Sequence, residues 1–373
     1  MHFNYYFSLV MKILHIIPNL NTGGAQHLLK DLLPLLNTIE NNEIKIAVFH
    51  RVGSYVEKKI EESGVEIHDM KISSRSPLAI LKIRKLIKQF DLVHSHLFPA
   101  HYYSIIANIG LNKPLVFTEH STNNKRRNYK FLKPVERWIY KRLDYVICIS
   151  NGVKSSLTSW LKVESNKFII IENGLEVSFF QNAEYKSRKE IFGENGQPLI
   201  MISRFTDSKD HETVVRAMRL VEDKDVFCVF VGEGEKKSEI EELVIKEGLS
   251  DKIKFLGHRN NIPEIIKAST IGIQSSNWEG FGLSVVEMMA GGLPIIASDV
   301  DGLKEIVGEN GLLFKSGDEK DLANKINLLL RDKNLRNNLS AKGEERATHF
   351  SIENTAQKHQ QVYRNLYNLK NNL

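Results

Sequence analysis

The sequence predicts an α/β protein of two doubly wound domains, each with a parallel sheet between layers of helices. Short apolar runs rich in β-branched residues alternate with longer amphipathic stretches, and this alternation occurs in both halves of the chain. Such runs fit strands that are buried on both faces, and strand–helix alternation is typical of parallel sheets. A length of 373 residues suits two domains, each large enough to bury its own core.

The apolar runs give the strands in order, and a polar stretch gives the boundary. The strands predicted for the first half are Ile13–Ile17, Ile44–Phe49, Leu92–Ser95, Leu115–Thr118, Tyr145–Ser150 and Phe168–Ile171. Those predicted for the second half are Leu199–Ser203, Val226–Val231, Ile253–Leu256, Ile271–Gln274, Pro294–Ala297 and Leu312–Phe314. The stretch Gln181–Gln197, which is followed by Pro198 and a new strand, predicts a domain boundary. We therefore expect an N-terminal domain over 1–185, a C-terminal domain over 186–351 and a final helix over 352–373.

Composition excludes several classes of protein. Cys148 and Cys228 are the only cysteines and lie in separate apolar runs, which excludes a disulfide framework and a cysteine-based zinc site and favours a reducing, cytoplasmic compartment. No uninterrupted apolar run reaches the ~18 residues that a membrane-spanning helix requires. Lys12 interrupts the apolar start of the chain and no small-residue cleavage site follows, which argues against a signal peptide. Residues 1–10 are expected to precede the fold.

A pair of glycines follows the first predicted strand. Ligands of open parallel sheets bind beyond the carboxyl ends of the strands. Gly23 and Gly24 let a ligand approach the backbone there, and the start of the next helix offers free N–H groups to an anion or a hydroxyl. The alternative is a tight turn without a ligand. The segment matches neither the dinucleotide-binding fingerprint nor a P-loop.

Two cations follow the first strand of the second domain. Arg204 and Lys209 lie five residues apart at a strand end, where a planar guanidinium and a point charge can converge on one diphosphate. Two solvated loop cations are the alternative interpretation.

A glycine-rich loop between a strand and a helix is the most specific segment. It runs over Asn277–Glu287, and its N–H groups and the helix start form a candidate phosphate site. Glu279 lies in the loop and Glu287 on the helix, eight residues later. We expect Glu279 to accept hydrogen bonds from sugar hydroxyls and Glu287 from a ribose diol, so the pair would hold both ends of a nucleoside-diphosphate sugar. A solvated helix face explains Glu287 alone but not the loop.

These motifs together resemble the GT4 family of retaining glycosyltransferases. The resemblance covers nearly the whole chain and rests on Arg204 with Lys209, Glu279-x7-Glu287, Ala290–Ala297, Gly23–Gly24, Ile171–Gly174 and Phe350–Asn354. It implies a GT-B fold, in which two Rossmann-like domains face each other across a cleft and the last helix crosses back to the first domain. The C-terminal domain would bind the nucleotide sugar and the N-terminal domain the acceptor.

The resemblance also implies residue roles. Arg204 and Lys209 would hold the diphosphate and stabilise the charge of the leaving group, and Glu279 would contact the donor sugar. The other donor contacts that it implies are the amides of Phe281, Gly282 and Leu283, the ribose ligand Glu287, the glycines Gly23 and Gly24, and Arg259 near the base. The family is generally metal-independent, so no metal ion or cofactor is expected, and the donor is expected to be a UDP- or GDP-sugar.

Histidines follow strands of the first domain. His120 matches the family's cleft histidine, which binds hydroxyls near the reacting carbon; a structural histidine is the alternative. His94 and His96 are expected to point to opposite faces of their strand, which argues against metal binding by this pair.

Positive charge is concentrated in the first half. Residues 1–185 carry a net charge of +8 and the remainder −2. Lys125–Arg142 combines basic residues with an apolar stripe, a pattern typical of helices that bind a membrane surface, and Leu78–Phe90 has the same character. A solvated basic face over an ordinary core stripe is the alternative. No nucleic-acid-binding motif accompanies the charge.

The leading hypothesis is a retaining hexosyltransferase that moves a sugar from a nucleotide sugar to a glycan or lipid-linked glycan in cell-surface polysaccharide or glycolipid synthesis. It would be cytoplasmic, with the basic segment as its contact with the inner face of the membrane. A nucleotide-sugar 2-epimerase of the same fold is an alternative and would consume its donor without an acceptor. A non-catalytic sugar-nucleotide-binding subunit is the third hypothesis.

Overall fold

The structure, a computed structural model, describes residues 10–21, 23–122, 124–163 and 166–371. The segment expected to precede the fold lies outside the described residues, apart from Val10. Over its described part, the chain divides into two compact units. The first unit combines the residues up to Gly174 with those from Ile352 onward, and the second is Leu175–Ser351.

The first unit is a parallel sheet with helices on its faces. Its described strands are β1 (Lys12–Ile17), β2 (Glu43–Val48), β3 (Glu66–Asp69), β4 (Leu92–His96), β5 (Leu115–Glu119), β6 (Tyr145–Cys148) and β7 (Phe168–Ile170). Its helices include α1 (Gly24–Thr38), α2 (Tyr55–Glu62), α3 (Ala79–Ile87), α4 (Ala100–Ala107), α5 (Lys133–Lys141) and α6 (Asn151–Leu161), with 3-10 helices at Ile39–Asn41, Lys125–Asn128 and Lys130–Leu132. The strand order is β3-β2-β1-β4-β5-β6-β7. The order reverses between β1 and β4, and a crevice at such a switch point is where doubly wound sheets bind ligands.

The second unit repeats this architecture. Its described strands are β8 (Gln197–Ile202), β9 (Val226–Val231), β10 (Ile253–Gly257), β11 (Ile271–Gln274), β12 (Ile295–Ser298) and β13 (Leu312–Phe314). Its helices include α7 (Val177–Gln181), α8 (Arg188–Phe192), α9 (His211–Met218), α10 (Lys237–Lys246), α11 (Ile262–Ala268), α12 (Leu283–Ala290), α13 (Leu303–Val307), α14 (Glu319–Arg331) and α15 (Lys333–Thr348). The strand order is β10-β9-β8-β11-β12-β13, so the switch point lies between β8 and β11. The predicted fold class, two Rossmann-like parallel-sheet domains, is confirmed.

The second unit begins before the boundary that the sequence predicted. The sequence placed the boundary after residue 185, whereas the unit starts at Leu175. The Leu175 N–H donates to the Phe350 carbonyl at 3.0 Å, and α7 packs against α12. The segment just before the polar stretch therefore belongs to the second core, because its apolar side chains Val177 and Phe180 are buried there.

The final helix, α16 (Ile352–Asn371), belongs to the first unit and packs against α1. Its buried side chains include Ile352, Tyr363 and Leu366, which join the core formed by α1 and the first strands. The thin apolar stripe of this helix therefore has a partner. Among the helices that the structure describes, none combines the length and apolar character needed to cross a membrane.

Candidate functional site

Two loops meet at the switch point of the second unit. One follows β8 and the other follows β11, and these strands are neighbours in the sheet. Backbone contacts join the loops, because the Asn277 N–H donates to the Ser208 carbonyl at 2.9 Å and the Asp210 N–H donates to the Ser275 carbonyl at 3.1 Å. Lys209 and Ser276 also form an isolated antiparallel bridge. We call these joined loops, residues 203–211 and 275–283, the β8/β11 junction.

Lys209 links the two loops through its side chain. Its ammonium donates to the Glu279 carboxylate and, at 3.4 Å, to the Ser276 hydroxyl. The Lys209 and Glu279 side chains are 14% and 18% exposed. The sequence predicted separate roles for Lys209 and Glu279, but the structure joins them in an ion pair. Since an ammonium has three donors, Lys209 can hold both side chains and still donate to an anion.

Arg204 adds a second positive charge to the junction. Its side chain is exposed at the end of β8, and among the described residues its guanidinium has no ion-pair partner. An exposed guanidinium that is not paired with a carboxylate can form two parallel hydrogen bonds to a phosphate.

The start of α12 supplies backbone donors beside these cations. Gly282 precedes the helix with a positive φ of 93°, a conformation that glycine adopts without strain. Phe281 is buried and packs edge-on against Phe350, with ring centroids 5.5 Å apart. The helix therefore begins at Leu283 from a fixed position, with the N–H groups of its first turn available to an anion. Glu287, half-buried, lies one turn further along the same helix.

Residues that the sequence analysis missed support the loop after β8. The Phe205 ring is fully buried and stacks on His211 with centroids 4.1 Å apart, and the Ser203 hydroxyl is 3.0 Å from His211 Nε2. Burial lowers the pKa of His211 to about 3, so the ring is neutral next to Lys209. A Cβ on Gly234 would lie 2.2 Å from the Phe205 carbonyl oxygen. Gly234 was the signal that the sequence offered for this support. It follows β9, a strand adjacent to β8, where a glycine indicates that two backbones approach closely.

A buried polar network lies beneath the loop after β11. The Ser276 N–H donates to Ser298 Oγ at 2.7 Å, and Gln274 Nε2 donates to Ser276 Oγ at 3.1 Å. Ser284 Oγ of α12 donates in turn to Gln274 Oε1 at 2.9 Å. These bonds fix Ser276, and hence the position of the Lys209 ammonium. The sequence did not indicate these hydrogen bonds, because no motif distinguishes Ser276, Ser284 and Ser298 from other serines.

Arg259 lies apart from the junction. It is exposed in the loop after β10, the edge strand, and β9 separates β10 from β8. Within the described ranges no contact joins Arg259 to the junction.

The predicted glycine pair lies at the switch point of the first unit. Gly23 and Gly24 follow β1, and α1 begins at Gly24. A Cβ on Gly24 would meet nothing within 4 Å, so its backbone faces open space. A Cβ on Gly23, in contrast, would lie 2.5 Å from Gln26 Oε1, so the open space at this turn is at Gly24.

His94 and His96 lie on the same face of β4, which corrects the prediction of opposite faces. Their ring centroids are 4.2 Å apart. Side chains two residues apart on a strand share a face, so the prediction misapplied the period of two. His15 of β1 joins them, with its Nδ1 3.0 Å from His96 Nε2.

The nitrogens of these histidines are engaged by one another and by neighbouring side chains. One ligand atom from each of His15, His94 and His96 lies within 4.8 Å of the others, which is close enough for a metal ion. However, both His94 nitrogens already contact hydroxyls, those of Tyr363 at 2.6 Å and Thr118 at 2.7 Å. The arrangement is that of a hydrogen-bonded network.

His120 continues this network beyond β5. Its Nε2 is 3.3 Å from His96 Nδ1. Its Nδ1 is buried and, within the described part of the chain, has no hydrogen-bond partner. Burial lowers the pKa of His120 to about 3, so its imidazole is neutral.

The basic segment Lys125–Arg142 divides into an internal and an external part. Arg126 and Arg127 pair with Glu136 and Glu119, at 3.0 and 3.1 Å, and their side chains are only 17% and 11% exposed. These two arginines therefore hold the segment on the unit and add little to its surface charge. The apolar stripe also divides. Its exposed members are Phe131, Val135 and Trp138, and its buried members are Ile139 and Leu143.

Two family models match the chain. Residues 22–179 match Glycosyltransferase Family 4, and residues 183–346 match Glycosyl transferases group 1. This chain belongs to glycosyltransferase family 4. The family that the motifs predicted is therefore confirmed, and this glycosyltransferase has the two Rossmann-like domains of GT-B enzymes.

Curated relatives include enzymes that are similar to this glycosyltransferase over all or part of its length. The GalNAc-alpha-(1->4)-GalNAc-alpha-(1->3)-diNAcBac-PP-undecaprenol alpha-1,4-N-acetyl-D-galactosaminyltransferase of Campylobacter jejuni is 26% identical over 92% of this chain and 95% of that protein. The N-acetyl-alpha-D-glucosaminyl L-malate synthase of Bacillus anthracis is 31% identical over 44% of each chain.

Solved structures share the fold. The Anabaena protein Alr3699/HepE, crystallised in complex with UDP and glucose, has a TM-score of 0.85 at 20% identity, over 95% of this glycosyltransferase and 100% of that chain.

Proposed function

We propose that this glycosyltransferase moves a hexosyl-type sugar from a UDP- or GDP-sugar to a hydroxyl of a glycan or lipid-linked glycan, with retention of anomeric configuration. The observation that carries the proposal is the β8/β11 junction. It brings two cations, a carboxylate and a helix start to the switch point of one sheet. A diphosphate and a sugar need these groups side by side.

The junction divides the work of donor binding among its residues. Arg204 and Lys209 bind the diphosphate and stabilise the negative charge that grows on it as the bond to the sugar breaks. The N–H groups at the start of α12 add backbone donors to the same phosphates. Glu279, held by Lys209, accepts hydrogen bonds from the sugar, and Glu287 accepts them from the ribose.

Positive side chains and a helix start can neutralise a diphosphate by themselves. We therefore propose that transfer needs no divalent metal ion. Retention follows from the resemblance to the family, with the acceptor attacking from the face that the diphosphate leaves.

The Campylobacter relative acts, by its name, on a glycan linked to undecaprenyl diphosphate. We propose an acceptor of the same kind, a glycan on a lipid carrier, for cell-surface polysaccharide or glycolipid synthesis. Such an acceptor places the reaction at a membrane surface.

The exposed part of the basic segment fits an anionic membrane surface. Phe131, Val135 and Trp138 are 75%, 48% and 40% exposed, and Val135 and Trp138 lie one turn apart on α5. Lys130 and Lys141 are exposed beside them. Aromatic side chains flanked by cations are typical of peripheral binding at the headgroup level.

Donor binding is tested by thermal shift with UDP-, GDP-, ADP- and CMP-sugars, each with and without EDTA. We expect one nucleotide to raise the melting temperature, because a ligand at 100 times its Kd adds about 2.7 kcal/mol to stability. EDTA should leave the shift unchanged, and Glu287→Ala should abolish it. Glu242→Ala, an exposed glutamate of α10, is the matched control and should keep the full shift. No shift with any nucleotide would contradict the donor site, and a shift lost in EDTA would contradict metal independence.

Membrane binding is tested by sedimentation with two kinds of vesicle. The anionic vesicles contain phosphatidylglycerol, and the neutral vesicles consist of phosphatidylcholine alone. We expect binding to the anionic vesicles only, falling as salt rises, since each basic residue near the surface contributes about 1 kcal/mol. The double variant Phe131→Ser/Trp138→Ser should bind much more weakly. Phe179→Ser, which removes an aromatic ring that is 56% exposed in the second unit, should bind as the wild type does. Equal loss in both variants would contradict a specific contact through the basic segment.

A further inference from the structure

The buried polar side chains at the switch point of the first unit form a continuous chain of hydrogen-bonding contacts, here called the histidine chain. Its order is Thr118, His94, Tyr363, His15, His96, His120, with successive contacts of 2.7, 2.6, 3.5, 3.0 and 3.3 Å. The chain joins α16 to the carboxyl ends of β1, β4 and β5. Its far end is His120, the histidine that the sequence places next to substrate hydroxyls.

Each histidine in the chain carries a single ring proton. Burial lowers the pKa of His15 and His120 to about 3, and the pKa values of His94 and His96 lie well below the usual range because of burial and the neighbouring imidazoles. A neutral imidazole has one donor nitrogen and one acceptor nitrogen. The direction of one hydrogen bond therefore determines the direction of the next, and the chain has two self-consistent states.

His94 is the ring at which the two states can be written out. Its contacts with Tyr363 and Thr118 are 2.6 and 2.7 Å, so the two bonds are of nearly equal length, and a neutral imidazole accepts only one of them. In the first state Tyr363 donates to His94 Nδ1, His94 donates from Nε2 to Thr118, and His15 donates from Nε2 toward Tyr363 at 3.5 Å. In the second state every one of these bonds is reversed.

The remaining bonds of the first state follow in turn. His15 Nδ1 is then an acceptor, so His96 donates to it from Nε2. His96 Nδ1 is in turn an acceptor for His120 Nε2–H. This leaves His120 Nδ1 without a proton.

The unpartnered nitrogen of His120 indicates that the first state is the one present. His359 and His101 also have a buried ring nitrogen without a partner in the described part of the chain. In both rings Nδ1 donates to a backbone carbonyl, of Thr355 at 2.8 Å and of Leu97 at 3.3 Å, so the unpartnered nitrogen is the one without a proton. A buried N–H with no acceptor is rarer than an acceptor with no donor, which favours the same assignment for His120.

We propose that the histidine chain fixes the tautomer of His120 and leaves its Nδ1 as a hydrogen-bond acceptor for a substrate hydroxyl. His15, His96 and Tyr363 are then positioning residues, which act through His120. The part that concerns substrate rests on the proposed function, whereas the tautomer is a property of the protein alone.

The tautomers are measured by nitrogen-15 NMR of histidine-labelled protein, in which protonated and bare imidazole nitrogens have widely separated shifts. Single His→Gln variants assign the signals. In the wild type we expect His120 to be protonated at Nε2 and bare at Nδ1. A His120 protonated at Nδ1 would overturn the proposal.

Two substitutions at separate points of the chain should reverse the state. Tyr363→Phe removes the acceptor of His15 Nε2–H, so the proton should move to Nδ1 and the change should propagate through His96 to His120. Thr118→Val removes the acceptor of His94 Nε2–H. The proton should then move to His94 Nδ1 and reverse the direction of every later hydrogen bond in the histidine chain, beginning with that of Tyr363. We expect the His120 proton to appear at Nδ1 in both variants.

Tyr103→Phe is the matched control, since its hydroxyl donates to the Ser74 carbonyl at 3.2 Å outside the chain. His120 should keep its wild-type tautomer there. An unchanged His120 tautomer in both Tyr363→Phe and Thr118→Val would overturn the proposal. It would also be overturned if added Zn²⁺ shifted the nitrogen-15 signals of His15, His94 and His96, because these residues would then form a metal site. These spectra need no substrate, so failure of the proposed function would leave the tautomer result intact. With a donor and acceptor in hand, Tyr363→Phe should lower kcat and leave the donor-induced thermal shift unchanged.

Discussion

Replacing Lys209 with methionine is expected to lower the rate of sugar transfer by about 10²–10³-fold, the usual cost of removing one donor that stabilises a developing anion. The physical reason is that the ammonium lies where the loops after β8 and β11 meet, bonded to Glu279 and Ser276. Lys246→Met, which removes an exposed ammonium of α10, should leave the rate unchanged. The measurement is the initial rate of nucleotide release in the presence of acceptor.

A double variant separates two explanations of that loss. Lys209→Met leaves the Glu279 carboxylate, which is 18% exposed, without its cation, and this alone could disturb the loop. Lys209→Met/Glu279→Gln removes both charges. If Lys209 only neutralised Glu279, the double variant would be no slower than Glu279→Gln alone. We expect it to be much slower than Glu279→Gln alone, because the diphosphate has still lost its cation.

Gly234→Ala is expected to destabilise the second unit by about 1–3 kcal/mol, as overpacking of a buried contact does, and to weaken donor binding. The added Cβ would lie 2.2 Å from the carbonyl oxygen of Phe205 and 2.7 Å from its amide nitrogen. That backbone follows Arg204 directly and receives a hydrogen bond from the Lys236 N–H at 3.2 Å. A shift of Phe205 therefore moves the cation at the end of β8.

The matched control is Gly343→Ala within α15. The nearest atom to its added Cβ would be Met289 Cγ at 3.4 Å, an ordinary contact. Alanine is favoured over glycine in a helix by about 1 kcal/mol, so stability should be unchanged or slightly higher. Urea unfolding and the donor-induced thermal shift measure both variants. If Gly234→Ala and Gly343→Ala had the same free energy of unfolding and the same donor-induced thermal shift, the close approach of Gly234 to Phe205 would be contradicted.

Much of the fold could be predicted because continuous apolar runs mark strands that are buried on both faces. The prediction missed β3, whose residues Glu66–Asp69 are alternately exposed and half-buried. An edge strand of this kind needs no continuous apolar run, so its sequence resembles a polar connection. The boundary was misplaced for the opposite reason, because the apolar helix α7 precedes the polar stretch yet packs in the second core.

The candidate site could be predicted only as separate motifs. Loop residues such as Lys209 and Glu279 are far apart in the sequence, and only the adjacency of β8 and β11 brings them together. The same limit applied to the basic segment. Arg126 and Arg127 count as surface charge in the sequence but pair with buried carboxylates in the fold.

A crystal structure of this glycosyltransferase with the nucleotide sugar that raises its melting temperature would test the central claim most directly. We expect the diphosphate within hydrogen-bond distance of Arg204 and Lys209 at the β8/β11 junction, the sugar against Glu279 and the ribose against Glu287. A nucleotide bound elsewhere, with its diphosphate in contact with neither Arg204 nor Lys209, would contradict the account.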